Sequence, residues 1–253
     1  MFTIVDLVCG TAAVEDAYVD SDYVGMVKRL RSDLQNIDQQ IGVVLSRDDV
    51  LPAAAVFPFL CRKFLELSLT SMLSRVDPLK VLAARKHQRL ETYEEGKPNP
   101  SSIAWSGDIF PSEKTAAGAS IWDVGGLKKG PERSLLGWHL SEVAFKPGLR
   151  WLTETKSSES AWVDEIAAVD DPFGMLRSRL GQIYSSLSKG VHAEYLVDEE
   201  VAFDNHAIQL YWIDSYRIVV LLAVATHVGP FFARSIARED AYECMKFVED
   251  RFN

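Results

Sequence analysis

The chain has 253 residues, 47% of them hydrophobic, and a formal net charge of −9 at pH 7. This length and apolar content suit one large domain or two small ones with a sizeable core. The acidic balance excludes nucleic-acid binding through a broadly basic surface, although it leaves room for a local basic patch.

The spacing of the cysteines and the length of the apolar segments indicate the cellular compartment of the protein. Cys9, Cys61 and Cys244 are far apart and form no CxxC pair, which fits a reducing cytoplasm better than a disulfide framework or a zinc ribbon. The amino terminus superficially resembles a lipoprotein signal near Cys9, but it lacks a basic region and Asp6 interrupts its apolar run. The most apolar segment, 218–233, is shorter than the ~20 residues of a membrane span and contains glycine and proline. We therefore expect a buried helix there and a cytoplasmic protein without a membrane partner.

The first half of the chain carries three predicted helices. Apolar residues recur at near-helical spacing over 21–41, which predicts the first helix. The second is predicted over 50–74, where Pro58 is expected to kink or restart it. A third is expected over 78–92, after the Asp77-Pro78 boundary.

A loop-rich stretch separates these helices from the rest. Residues 91–130 contain EEGKPNPSS, SGDIFPSEK and GGLKKGP, which are rich in turn formers. The runs SIAW and SIWDV between them could form a short β-hairpin. We interpret 91–130 as an irregular insertion within a single helical domain that spans 1–253.

Helical patterns return after the insertion. They cover 131–145, 172–190, 205–226 and 238–252. With regularly spaced strands lacking from the pattern, the predicted fold class is mainly α, a helical bundle formed by the segments near 57–74, 172–190 and 205–226.

The segment 180–196 contains the first candidate for chemistry. Its core face is predicted to comprise Leu180, Ile183, Tyr184, Leu187 and Val191. A stripe of small residues, Gly181, Ser185 and Ser188, runs beside it toward His192, and Gly190 is a potential helix end. An imidazole there can act as acid, base or ligand, or it can simply bond a backbone carbonyl at a helix end.

Two sequence pieces resemble a known family. YSSLSKGVHAE, ending in the Val-His pair, is similar to the carboxy-terminal helix of HEPN-type domains, and FPFLCRKFLELSLTSMLSRVDP is similar to their earlier core helix. The resemblance implies a helical protein of a bacterial toxin–antitoxin or phage-defence system. It also implies pairing of two histidine-bearing helices at a composite cleft, and metal-independent RNA cleavage in active members.

The sequence departs from the active family pattern at one place. Active members have an Arg, four to six residues, and a His, whereas the corresponding positions before His192 hold Ser185, Ser186 and Leu187. This departure favours a protein without catalysis. Arg133 and His139 have the right spacing, but so many arginines produce such a match by chance.

The candidate site residues come from both pieces. Arg62 and Glu66 are one turn apart and form either a surface ion pair or a charge partner and orienting carboxylate for His192. Together, His192, Arg62 and Glu66 are the candidate catalytic residues. The candidate binding residues are Ser188, Lys189 and Glu194, and Glu194 is a second candidate for orienting the imidazole.

The most basic run of the acidic chain is KVLAARKHQR at 80–89. Its side chains Lys80, Arg85, Lys86 and Arg89 either form a solvated helix face or contact a phosphate, an RNA backbone or an acidic partner. The histidines are too dispersed for a metal site, and the sequence contains no nucleotide-binding or zinc-protease motif. We expect neither a metal nor a cofactor.

Two functions follow from these patterns. The favoured one is a non-catalytic HEPN-like interaction or dimerisation module, or a complex subunit, with a homodimer or a defence-complex protein as partner. The alternative is a HEPN-type endoribonuclease that binds RNA or a nucleotide. In both, His192 is expected at or just past a helix end, partly buried and facing the helix that carries Arg62 and Glu66.

Overall fold

The computed structural model describes residues 2–13, 20–46, 50–89, 141–191 and 203–252. Within these ranges the chain is about 80% helical and contains no strand, so the mainly α-helical bundle is confirmed. The helices are α1 (Ile4–Cys9), α2 (Ser21–Leu45), α3 (Val50–Val76), α4 (Pro78–Gln88), α5 (Lys146–Lys156), α6 (Ala161–Ala167), α7 (Pro172–Val191), α8 (Asn205–Ala225) and α9 (Arg238–Glu249). A π-helical turn, Ser141–Phe145, leads directly into α5.

The structure agrees with most of the predicted helices and differs from the predictions in two respects. Helix α3 runs unbroken through Pro58, so the expected restart does not occur. Helices α1, α5 and α6 were not predicted. The insertion 91–130, with its expected hairpin, lies outside the described residues, as do Arg133 and His139.

Polar side chains fix where the helices begin. In α1, Thr3 accepts from the backbone N–H of Asp6 and the Asp6 carboxylate accepts from the backbone N–H of Thr3, a reciprocal capping box. Asp20 accepts from Tyr23 N at 3.0 Å and caps α2, and Asp204 caps α8 in the same way. Each such cap contributes about 1 kcal/mol because it satisfies a backbone donor that has no partner within the helix.

Helix α3 lies at the centre of the bundle. It packs against α1, α2, α4, α7 and α8. Phe64 of α3 stacks on Tyr216 of α8, with ring centroids 5.4 Å apart, and meets the edge of Trp212 at 5.0 Å. All three rings are buried, so the α3–α8 contact is an aromatic core that fixes the relative rotation of the two helices.

Helix α8 is the most apolar element. By length and composition alone it could cross a membrane, with a mean hydropathy of 1.4 over its most apolar window. In the bundle, however, 67% of that window is buried inside the protein. Buried positions run from Ile218 to Ala225 without interruption, as expected for a helix covered on all sides by other helices. The predicted buried helix is therefore present here.

A buried guanidinium joins the ends of several helices. Arg75, in the last turn of α3, is 1% exposed. It donates to Thr226 Oγ1 at 2.5 Å, Ser235 Oγ at 2.9 Å, Ala233 O at 3.1 Å, Thr226 O at 3.4 Å and Leu7 O at 3.5 Å. Burial and the nearby charge of Arg234 lower the pKa of Arg75 to about 9. Arg75 therefore remains charged at neutral pH and is held by neutral oxygens.

His227 completes this buried network. Its Nε2 lies 2.7 Å from the carbonyl oxygen of Leu7, so Nε2–H donates there. Its Nδ1 accepts from the backbone N–H of Ile236 at 3.1 Å and faces Arg75 Nη2 at 3.3 Å. A proton added to Nδ1 would therefore point at two N–H donors, those of Ile236 and Arg75, and would be disfavoured. Burial, together with the positive charge of Arg75, lowers the pKa of His227 to about 3.

We predict that His227 makes folding stability depend on pH. In the unfolded chain a histidine titrates near 6.5, whereas in the fold it stays neutral down to about pH 3. The unfolded state therefore binds the extra proton, and stability contributed by this residue falls as pH drops below about 6.5, by roughly 2 kcal/mol at pH 5. Urea unfolding between pH 7.5 and pH 5, followed by circular dichroism, measures this loss.

The matched variants are His227→Gln and His206→Gln, the latter at an exposed position in α8. Gln keeps an amide donor toward Leu7 but cannot be protonated, so the pH slope should flatten even if stability at neutral pH decreases. The His206 variant should keep the full slope. Equal slopes for the wild type and His227→Gln would contradict the neutral, buried imidazole.

We also predict opposite effects for two helical glycines. A Cβ at Gly148 would lie 2.6 Å from the Cα of Ala225, so α5 and α8 touch through backbone at this point, whereas a Cβ at Gly42 of α2 would meet nothing within 4 Å. Gly148→Ala should destabilise the fold by about 2 kcal/mol because the helices must separate. Gly42→Ala should stabilise it by roughly 0.5–1 kcal/mol through helix propensity. Denaturant midpoints measure both, and equal effects would refute the close crossing.

Candidate functional site

Arg62, Glu66 and Tyr184 form one polar cluster between α3 and α7. Arg62 Nε donates to Glu66 Oε1 at 2.9 Å, and the hydroxyl of Tyr184 donates to the same oxygen at 2.9 Å. The guanidinium carbon of Arg62 lies 4.8 Å from the centre of the Tyr184 ring. The side chains of Arg62 and Glu66 are 24% and 27% exposed, so the predicted ion pair exists and lies at the edge of the core.

The electrostatics of the cluster follow from its shared carboxylate. Burial of Tyr184, its hydrogen bond to Glu66 and the charge of that carboxylate raise the pKa of the phenol to about 12. Burial, the largest single influence, would lower the pKa of Arg62, but the hydrogen bonds and charges of Glu66 and Tyr184 together outweigh it and raise the pKa. At neutral pH the cluster therefore holds one cation, one anion and one neutral phenol, and Glu66 is the acceptor for both donors.

Helix α7 runs antiparallel to α3 and ends close to its amino-terminal half. Tyr184 contacts Glu66, whereas one and a half turns later a Cβ at Gly190 would meet Pro58 Cγ at 3.1 Å. Gly190 does not end the helix, which continues to Val191. The side chain of Phe203 packs against Gly190. Only a glycine allows the ring and Pro58 to approach this closely.

The candidate residues around His192 have different outcomes. His192 and Glu194 lie outside the described residues, so their position stays a prediction. Ser188 donates to the carbonyl of Tyr184 at 2.8 Å and is therefore bonded within its own helix. Lys189 is exposed. Val191, expected in the core, is 39% exposed.

The basic run lies elsewhere, on α4 against the start of α2. Arg89 pairs with Asp22 at 2.8 Å and Lys86 approaches the same carboxylate at 3.8 Å. A Cβ at Gly25 would lie 3.0 Å from Arg85 Nη2, so this guanidinium lies along α2. Lys80 is exposed, and its backbone N–H caps onto Asp77. Part of the run thus serves to attach α4 to α2.

The structure does not bring the basic run to the Arg62 cluster. Helix α4 begins after the carboxyl end of α3, and Arg62 precedes that end by 14 residues, or about 21 Å at 1.5 Å per residue. The end of α7, in contrast, approaches Pro58. The candidate catalytic and the candidate phosphate-binding residues are therefore on separate parts of the molecule.

The cluster can orient a neighbouring donor more readily than it can bind a substrate. Glu66 Oε1 already accepts two hydrogen bonds, and its second oxygen has capacity for another. No group of three or more histidine, cysteine or carboxylate side chains among the described residues has the arrangement of a metal site.

Two features were missed at the level of sequence. Tyr184 was assigned only to the core, although it joins Arg62 and Glu66 across 118 residues. The buried pair of Arg75 and His227 was not recognised. A signal existed, because Arg75 continues the apolar positions Leu65, Leu69 and Met72 at helical spacing, and a charge on a buried stripe requires partners.

Comparisons with known proteins assign neither a family nor a function to the chain. The chain matches no protein-family model, and searches of curated proteins and of solved structures give no significant match. The resemblance to HEPN-type domains therefore rests on the two sequence pieces alone.

We predict that Tyr184 and Glu66 are energetically coupled. Tyr184→Phe removes one hydrogen bond to a partly buried carboxylate and should cost roughly 1–1.5 kcal/mol of unfolding free energy. In a Glu66→Gln background the same change should cost less, because a neutral amide is a weaker acceptor. Denaturant unfolding of the four proteins of this double-mutant cycle measures the coupling.

Tyr211→Phe provides the control. Tyr211 is half-buried in α8, and its ring contacts Phe203, with no hydrogen bond of its hydroxyl among the described residues. Removing that hydroxyl should change stability by less than about 0.5 kcal/mol. Additive effects of Tyr184→Phe and Glu66→Gln would show that the 2.9 Å contact does not stabilise the α3–α7 pair.

Proposed function

We propose that the chain is a HEPN-like helical module of a bacterial defence or toxin system, which acts through protein interaction rather than catalysis. The single observation that carries the proposal is the Arg62–Glu66–Tyr184 cluster. Its carboxylate serves the arginine of its own helix and the tyrosine of α7 at once. Such a cluster stabilises a helix pair and leaves no unpaired cation for a phosphate.

The charge distribution supports the same function. The net charge is −9, and two of the cations on the basic run are engaged by Asp22. An RNA backbone would have to displace these intramolecular pairs, and binding through few phosphate contacts is weak. The absence of an arginine among Ser185, Ser186 and Leu187 points the same way.

The surface of α7 supports pairing with a second copy. Ser185 is exposed, and Gly181 and Ser188 are half-buried, so the small-residue stripe is accessible. The neighbouring helix α3 presents Val56 and Phe59 to solvent, 43% and 54% exposed. Small residues allow close helix approach, and exposed apolar residues supply the area that association buries.

One experiment tests the interaction and the catalysis together. The purified protein is incubated with labelled single-stranded RNA, and its mass is measured by light scattering at micromolar concentration. We expect intact RNA and a mass above that of the monomer. Ser185→Arg should return the mass to the monomer because a long charged side chain blocks the stripe, while Ser185→Ala should not.

The histidine variant decides between the two functions. RNA cleavage by the wild type that is lost in His192→Ala would replace the proposal with the alternative, a metal-independent endoribonuclease of the HEPN type. Cleavage that persists in His192→Ala indicates a contaminating nuclease. A strictly monomeric wild type would remove the pairing part of the proposal.

A further inference from the structure

Helix α9 has two contrasting faces. Ala241, Tyr242, Met245 and Val248 face the core and are fully or almost fully buried. The other face carries Asp240, Glu243, Phe247 and Asp250, which are exposed and follow one another at helical spacing. Phe247 is 47% exposed. Phe247 is therefore an exposed apolar side chain on an otherwise acidic face.

Two depressions flank this face and meet at its aromatic residue. One, of about 540 Å³, lies between α1, α2 and α9. The other, of about 380 Å³, lies along the outer edge of α9. Both are lined by Phe2, Cys244 and Phe247. Because they share these three residues, we treat them as one groove, hereafter the α9 groove, whose centre contains the buried Cys244 and the exposed Phe2 and Phe247.

The rim of the α9 groove has an excess of negative charge. Its outer edge is lined by three carboxylates, Asp240, Glu243 and Asp250, and by the cation Lys246. Lys156, which pairs with Glu239, also attracts Glu243. On the inner side, Asp6 is paired with Arg31 at 2.6 Å. Asp38 lies near Arg251, and burial raises its pKa although Tyr216 and Arg251 oppose the shift. None of the three outer carboxylates forms a salt bridge with a described residue.

We propose that the α9 groove binds a basic amphipathic helix of a partner protein, with an apolar residue inserted between Phe2 and Phe247 and lysine or arginine side chains on the outer carboxylates. The inference rests on the proposed interaction function and names the face and the partner chemistry. A helix suits the geometry because Asp240 and Asp250 are about 15 Å apart along α9, which matches two to three turns of a partner helix.

Charge complementarity favours a basic helix in the α9 groove over a second copy of the chain, a nucleic acid or an anionic lipid surface. If two copies paired through this groove, their acidic rims would face each other, and like charges across an interface weaken association. A nucleic acid or an anionic lipid surface would meet the same repulsion. A cationic helix instead gains from both the rim and the apolar centre.

The probe is a fluorescein-labelled amphipathic helix of leucine and lysine, about 14 residues or four turns long. Its matched counterpart has glutamate in place of every lysine. Fluorescence anisotropy titration of the full chain should give at least tenfold tighter binding of the lysine peptide, weakening as salt is raised.

Protein variants locate the binding. Phe247→Ser and, separately, Glu243→Lys should each weaken binding of the lysine peptide, the first at least tenfold and the second by roughly three- to tenfold. Phe231→Ser is the control, because Phe231 is similarly exposed, at 53%, but lies in the loop after α8. It should bind as the wild type does, and circular dichroism verifies that each variant is folded.

Three results would overturn the proposal: no binding of the lysine peptide, equal binding of both peptides, or binding unaffected by both groove variants. The test is separate from the one for the proposed function. Ser185→Arg alters the α7 surface, which is separate from the α9 groove, and should leave peptide binding unchanged. RNA cleavage together with groove-dependent peptide binding would therefore reject the proposed function while retaining the α9 groove.

Discussion

The buried guanidinium of Arg75 is the constraint on which the bundle depends. Among the described residues no carboxylate is paired with it, and its partners are backbone carbonyls, hydroxyls and the ring of His227. The partners Leu7 and Thr226 lie at the carboxyl ends of α1 and α8, and Arg75 itself is in the last turn of α3. Carboxyl ends of helices carry the negative end of the helix dipole. The carboxyl ends of α1 and α8 therefore supply acceptors that offset the charge of one arginine.

This arrangement explains the shape of the adjacent backbone. Gly10 ends α1 with φ of +72°, a left-handed conformation that glycine adopts without strain. Its α carbon faces the Arg234 carbonyl and Arg75 Nε, where a Cβ would lie 3.0 Å from Nε. Arg31 donates to the Gly10 carbonyl and pairs with Asp6. The amino-terminal helix is thus fixed against the loop that follows α8 by backbone contacts that a side chain at residue 10 would prevent.

The fold was largely predictable because the first and last residues of a long amphipathic helix can be read from its apolar pattern and capping residues. Helices α2, α7 and α8 begin and end within a few residues of the predictions, since each has a continuous apolar stripe and, in α2 and α8, a capping aspartate. Helix α1 was missed because six residues are too few for a periodicity, although its capping box was readable. Pro58 does not interrupt α3, as one missing backbone donor is tolerated in a helix held by neighbours on several sides.

The candidate site was predictable from the sequence only for residues that are close together in the same helix. Arg62 and Glu66 are one turn apart, so their ion pair follows from helix geometry. The third member, Tyr184, depends on how α7 packs on α3, and that packing is a property of the whole bundle. For the same reason the association of Arg75 with His227, 152 residues apart, could not be deduced from either segment alone.

The Arg62 cluster bears on whether this scaffold could act on RNA. To bind a phosphate, an arginine that is already paired with a carboxylate must exchange that carboxylate for the phosphate. Arg62 would give up its 2.9 Å contact with Glu66 and its position over the Tyr184 ring. The carboxylate of Glu66, left without its arginine, would then repel the incoming phosphate. The Tyr184 hydroxyl would then be the sole remaining donor to Glu66 within the cluster. Catalysis at this site thus requires Glu66 to be neutralised or moved, whereas the structural role of holding α7 against α3 requires neither.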